Sequence, residues 1–247
     1  MLAIAVASVV SLQVPPHSSL TRRDLAVLTS AVGVAGLPRP SLASVPAKLS
    51  FTTQPGVKLN NGLNFPSASF GLQVYDDDTA YKLTRTAIDV GYRNFFASVL
   101  ARNQKGFARA VRDSGLPRED LFICGSVLSN RVQGYDAAFK LSKRGCEENL
   151  EAFAVGGIDY VDMIMLDYPG PDDDSVRGQW AALEEMAAAK QTRSLAVSNF
   201  DSKQLDAVLG MGKGTTVPTL NQLPYGGMGQ TPCPQHHAHY VYLQPHC

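Results

Sequence analysis

After residue 50 the chain alternates, six times over, between a short apolar run and a longer amphipathic stretch. The runs centre near Phe70, Phe95, Ile123, Ile164, Ala196 and Thr219. Strands separated by helices of ten or more residues return in the same direction through right-handed crossovers, so this rhythm predicts βαβ units and a parallel sheet. Val161 to Leu166 is apolar without interruption, as in a strand covered on both faces. Asn60-Asn61-Gly62 is a hairpin-type turn ahead of the first run, Ser67 to Val74. Asp78 is expected to cap a helix carrying Ala80, Leu83, Ala87 and Val90 on one face, stopped by Gly91. Gln104 to Ser114 is the next helix, and Gly115 ends it. Asp136 opens a longer helix with Phe139, Cys146, Leu150 and Phe153 in register, closed by Gly156-Gly157. Ser175 is expected to cap a helix carrying Val176, Trp180, Leu183 and Ala187, and Asp201 one reaching about Met211. Val217 to Asn221 reads as the last strand of the six.

Composition narrows the partners. With 45% hydrophobic and 18% charged residues in 247, the chain has material for a core and does not read as disordered. No run of 18 uninterrupted apolar residues occurs, so no membrane span is expected in the mature chain. Lys+Arg and Asp+Glu are 22 each, which leaves no basic footprint for nucleic acid. The four cysteines lack CxxC spacing and do not form a disulfide framework.

Residues 1–47 read as a targeting presequence. They hold three arginines (Arg22, Arg23, Arg39), one acid (Asp24) and no lysine. Arg22-Arg23 precedes a modest apolar run from Leu25 to Leu37, then small residues at Ser41, Ala43, Val45 and Ala47. That order resembles a twin-arginine signal behind an acid-poor transit peptide, the bipartite leader of a thylakoid-lumen protein. A single plastid or mitochondrial transit peptide and a plain secretory signal are the alternatives. The expectation is a plastid protein cleaved between about Ala43 and Lys48, which sequencing the native N-terminus checks; a terminus at Met1 or Leu2 would rule it out.

Six segments in order resemble the aldo-keto reductases. Leu59-Asn60-Asn61-Gly62 with Phe65-Pro66 resembles the family's opening hairpin. Ala87-Ile88-Asp89-Val90-Gly91-Tyr92-Arg93 is similar to its entry into strand two, and Ser114-Gly115-Leu116-Pro117-Arg118-Glu119-Asp120-Leu121-Phe122-Ile123 to its entry into strand three. Gly157-Ile158-Asp159-Tyr160-Val161-Asp162 with Pro169 is similar to strand four. Trp180 and Leu183-Glu184 ahead of Val197-Ser198-Asn199-Phe200 match strand five, and Asn221-Gln222 closes strand six. The likeness runs over residues 57–225. It implies an α/β (β/α)8 barrel of the TIM type, with about six of eight βα units present and the site at the C-terminal strand ends. It also implies an NAD(P)H-dependent oxidoreductase acting on a small carbonyl compound, with NADP(H) as cofactor.

The family's proton donor is a Tyr, tuned by a Lys that an Asp pairs, with a His orienting the carbonyl. By the resemblance these four positions carry Phe96 (Asp), Ala101 (Tyr), Ser126 (Lys) and Asp167 (His). Donor, tuning and orientation are then replaced together, and weak or absent carbonyl reduction is expected. Asp167 is either a strand-end carboxylate or a substitute acid; Tyr75, Tyr168 and Tyr225 are substitute donors or packed aromatics. The cofactor positions are better matched. Ser198, Asn199 and Gln222 stand where the family holds the nicotinamide amide, a task that needs paired donors and acceptors. Ser198-Asn199 also reads as a helix N-cap.

Residues 226–247 form a Gly/Pro/His-rich tail. Cys233, His236, His237 and His239 are weak metal-ligand candidates, since their spacing is no finger pattern. An unstructured tail and a frame or splice change in the gene are the alternatives. Six strands do not close a barrel of eight, so an open barrel with apolar edges is expected, which Tyr240 to Leu243 could extend by one strand. Three readings stand side by side: a nearly inactive reductase-like barrel, a reductase using another acid, and a non-catalytic binding or scaffolding protein. The oligomeric state is left open.

Overall fold

The computed structural model describes residues 49–223 and the backbone of residues 239–242. A short antiparallel hairpin, β1 (Gly56–Lys58) and β2 (Asn64–Pro66), comes first. Seven parallel strands then follow in simple order: β3 (Phe70–Gly71), β4 (Asn94–Phe96), β5 (Phe122–Val127), β6 (Met163–Asp167), β7 (Leu195–Ser198), β8 (Leu220–Leu223) and β9 (His239–Tyr242). Between them run α1 (Asp77–Asp89), α2 (Gln104–Ser114), α3 (Tyr135–Ala154), α4 (Asp173–Ala188) and α5 (Ser202–Leu209). Each strand pairs with its sequence neighbour, the singly wound order of a barrel. Strands β3 to β8 curl into a half-barrel with flanking helices. The expected tail strand is present at His239–Tyr242, parallel to β8. No helix among the described residues is long and apolar enough to cross a membrane.

Strand alternation sorts the apolar residues into two cores. Phe95, Ile123, Ile164, Leu166, Leu195 and Val197 face outward, under Phe107, Phe153, Trp180, Leu183 and Leu205 of the helices. Phe96, Phe122, Cys124, Met163, Met165, Ala196 and Leu220 face inward. Phe51, Leu59 and Phe65 close the N-terminal end of this inner core, with Phe51 and Phe65 meeting Phe122 edge-on at 5.5 and 5.2 Å. The hairpin is therefore a plug, which leaves the opposite end of the curl for a site.

Several local expectations shift by a few residues. Asp76, not Asp78, caps α1: its carboxylate accepts the Thr79 N–H at 2.8 Å, which holds the acid below its ordinary 3.8. Asp78 lies in the first turn and pairs with Arg109. Asp172, not Ser175, caps α4. Hydrogen bonds from the Ser175 hydroxyl and N–H, each at 2.7 Å, lower its pKa. Both helices open on a run of acids, any of which satisfies cap chemistry, and the length of the preceding turn decides among them. The first parallel strand shrinks to Phe70–Gly71 because the Asn103 amide draws the Leu72 and Tyr75 carbonyls into a turn. The sixth begins at Leu220 rather than Val217, since Val217 is exposed and Pro218 has no N–H to give a ladder.

Candidate functional site

Five of the predicted positions converge. Cys124 and Ser126 lie on one face of β5; Met163, Met165 and Asp167 on one face of β6; Ala196 and Ser198 on one face of β7; Leu220 and Gln222 on one face of β8. The lower members of each series belong to the inner core, so Phe96, Ser126, Asp167, Ser198 and Gln222 share the inner face. Asp167 pairs in register with Ser198, and Ser198 with Gln222; Ser126 is one step lower, opposite Met165. The C-terminal end of the curl thus carries a polar row across three adjacent strands.

The atoms of this row are unevenly satisfied. Ser198 accepts the Asn199 amide at 2.9 Å, and the Asn199 N–H donates to the Gln222 carbonyl at 2.8 Å. Asn199 has φ 62, a left-handed conformation costly for a residue with a Cβ. Tyr168 (φ 68) and Arg102 (φ 53) share it, so three βα turns at this end of the sheet hold such a residue. Ser126 Oγ and Gln222 Oε1 are buried and have no hydrogen-bond partner. The alternative N-cap role of Ser198-Asn199 is not used: Asp201 caps α5, completing a box with Gln204. Ala101 lies apart from the row in the β4–α2 turn, its N–H on Ser98 Oγ at 3.3 Å. Tyr75 packs against the outer core, Tyr168 is 37% exposed, and Tyr225 lies outside the described residues.

A second tier of buried amides holds the turns; of these Asn103 and Gln179 belong to no motif in the sequence. Asn103 occupies the N-cap position of α2 but turns its side chain away from the helix, to Ser98 N–H and to the Leu72 and Tyr75 carbonyls. Asn221 grips Phe200 through both N–H and carbonyl, fixing the turn that carries Asn199. Gln179 links the Gly170 N–H to Ser129, which meets Ser142 at 2.6 Å. An isolated Asn or Gln beside a turn was the only signal for Asn103 and Gln179. Burial raises the Cys124 thiol and pushes Cys146 up to about 12, so neither is a nucleophile.

Among the described residues no group of three or more His, Cys, Asp or Glu could hold a metal ion. Cys233, His236 and His237 lie outside the described residues, and of His239 only the backbone, in β9, is described. A groove of about 370 Å³, lined by Asp78, Tyr81, Lys82, Arg109 and Asp113, lies between α1 and α2 outside the sheet. Arg109 there binds Asp77 and Asp78, and Tyr81 donates to Asp113.

A singly wound parallel half-barrel, plugged at one end and polar at the C-terminal strand ends, has the architecture of the TIM-barrel enzymes. Residues 63–236 match the aldo/keto reductase family, and the chain belongs to it. A glyoxal reductase of Bacillus subtilis (strain 168) is 32% identical over 174 residues, covering 68% of this chain and 57% of that protein. A 9,11-endoperoxide prostaglandin H2 reductase of Trypanosoma cruzi is 29% identical, covering 60% and 50%. The crystal structure of an aldo/keto reductase from Brucella melitensis superposes with a TM-score of 0.61 at 28% identity, covering 70% of this chain and 64% of that one. The chain spans little more than half the length of these curated relatives.

Proposed function

We propose that this chain binds a reduced nicotinamide nucleotide, NADP(H) by family likeness, and reduces carbonyl compounds only slowly. The observation that carries this reading is the composition of the inner face. Ser198, Asn199 and Gln222 offer hydroxyl and amide partners in one place, and the unpartnered Gln222 Oε1 suits a carboxamide N–H. Among the described residues no lysine or histidine stands beside them. Residues 49–223 contain no histidine, and every lysine among them is exposed.

Bound there, the cofactor would supply a hydride. The chain's own part is to orient the carboxamide through Ser198, Asn199 and Gln222 and to exclude water with the inner core. Among the described residues, the positions that match the family's Asp, Tyr and Lys offer no tuned acid: Phe96 and Ala101 carry no proton, and the Ser126 hydroxyl is a far weaker acid than a tuned phenol. General acid catalysis is worth about 10²- to 10⁴-fold. Glyoxal, named for the Bacillus subtilis relative, and a panel of aldehydes with NADPH test this. The expected turnover is about 10²-fold or more below the common enzyme median of about 10 s⁻¹. A rate near that median overturns the slow-reductase reading, and equilibrium dialysis showing no NADPH retention overturns the cofactor reading. Ala101→Tyr alone is expected to leave the rate unchanged, since no lysine would lower the phenol's pKa.

A further inference from the structure

Along the outer face, Val127, Leu166, Val197 and Asn221 stand opposite one another on β5 to β8. The first three are aliphatic, completely buried members of the outer core. Asn221 is completely buried as well, so an aliphatic row ends on an amide. A buried amide costs stability unless it is hydrogen-bonded, and an aliphatic side chain would fill the same layer. The Asn221 amide meets the backbone of Phe200 on both sides. Its Oδ1 accepts the N–H at 3.4 Å, and its Nδ2 donates to the carbonyl at 2.8 Å.

Asn199, one residue earlier, holds the left-handed φ of 62 and gives its own N–H to the Gln222 carbonyl at 2.8 Å. The peptide before Asn199 is thus tied to the backbone of β8, and the peptide after it to a β8 side chain. A sparsely populated conformation persists where its surroundings over-determine it. The same device recurs at this end of the sheet. Arg102 (φ 53) runs directly into Asn103, and two residues after Tyr168 (φ 68) the Gly170 N–H donates to Gln179 at 2.7 Å. Asn103 and Gln179 are fully buried too. Lys190 (φ 59), at the opposite end, is a different case: its N–H finds the Ala187 carbonyl at 2.9 Å, as left-handed residues that end helices do.

We infer that Asn221 is a positioning residue, which clamps Phe200 and thereby holds the Asn199 amide ready for a ligand carboxamide. The inference rests on the nicotinamide reading above. Of Ser198, Asn199 and Gln222, only Asn199 is not buried, so it is the member of the set that a ligand meets from solvent. Its Nδ2 donates to Ser198 Oγ at 2.9 Å, which sets the rotation of the amide. With the turn already in place, binding does not have to order it, and rigidity of this kind raises affinity.

The test compares the full chain with Asn221→Leu, which continues the aliphatic row and removes the clamp. Two readouts are taken: amide hydrogen exchange resolved by residue, and equilibrium dialysis with NADPH and with its reduced 3-acetylpyridine analogue, in which a methyl group replaces the carboxamide nitrogen. The parent is expected to prefer NADPH about threefold or more, the worth of one neutral hydrogen bond. Asn221→Leu should hold the two nucleotides equally, within about twofold, with the analogue bound as in the parent. The Asn199 N–H should exchange about tenfold faster or more although its own acceptor is untouched, while the Ile164 N–H in β6 is unchanged. An Asn221→Leu protein that melts like the parent and keeps either the Asn199 protection or the preference for NADPH overturns the proposal. Equal weakening of both nucleotides, the mark of a merely looser fold, overturns it as well. Should Asn221→Leu not fold, Asn221→Asp replaces it with the same outcomes expected, since it keeps an acceptor for the Phe200 N–H and loses the amide donor to the Phe200 carbonyl. A parent that retains neither nucleotide, with Asn199 still loosened in the variant, overturns the cofactor reading alone and leaves the clamp standing.

Discussion

Asp162 shows what one residue does at the end of the sheet opposite the candidate site. It is fully buried just before β6, holding Arg118 at 2.7 Å, Arg193 at 2.9 Å and the Ile123 N–H at 2.9 Å. Arg118 also lies over the Tyr160 ring, 4.0 Å from its centre. One carboxylate therefore ties the starts of β5, β6 and β7 together. Asp162→Asn would leave two guanidinium groups facing each other without their anion. A loss of about 3 kcal/mol is expected, since removing one member of a buried ion pair leaves its partner uncompensated. Urea unfolding measures it; a change below about 1 kcal/mol would mean the triad is replaceable by neutral hydrogen bonds. Asp167 is its counterpart at the other end, where the same residue type faces the open curl.

At the scale of the element, close helix packing is set by glycines. Gly106 of α2 sits against the backbone of Asp77 at the start of α1; a Cβ there would lie 1.9 Å from the Asp77 carbonyl oxygen. Gly178 of α4 meets the Tyr135 carbonyl of α3 in the same way, at 2.2 Å. In an exposed helix, Gly→Ala stabilises by about 1 kcal/mol through propensity. Gly106→Ala is expected to do the reverse and cost about 1–3 kcal/mol, because backbone atoms have to move apart. Thermal unfolding decides the sign, and a raised melting temperature would show that α1 shifts freely. The contact also bears on the site, since α1 and α2 start from the two turns that Asn103 ties together.

For the molecule as a whole, the open curl matters most. Among the described residues β3 and β9 are the sheet's outermost strands, each with a single neighbour. A closed barrel removes unpaired N–H and C=O groups, and an open one leaves them as templates for another chain. A polypeptide of these 247 residues by itself is therefore expected to self-associate, visible by light scattering as a mass that rises above the monomer at tens of micromolar protein. A monomer at all concentrations with one cooperative unfolding transition would show that these edges are covered.

The alternation of strands and helices, the parallel order and the helix stops are legible in the residues alone. Turn chemistry and hydrophobic period are local, and the chain carries them in any context. It also marked Ser126, Asp167, Ser198 and Gln222 one by one, through their likeness to family positions. That Asp167, Ser198 and Gln222 stand side by side with Ser126 one step below comes from the packed sheet, because register is a relation between strands far apart in the chain. It also decided which apolar residues face inward. In a strand buried on both sides, such as Met163 to Leu166, every position is apolar and the period carries no face. The choice between Asp76 and Asp78 as cap, and the turning of Asn103 away from its own helix, were settled likewise by where the packed turns ended.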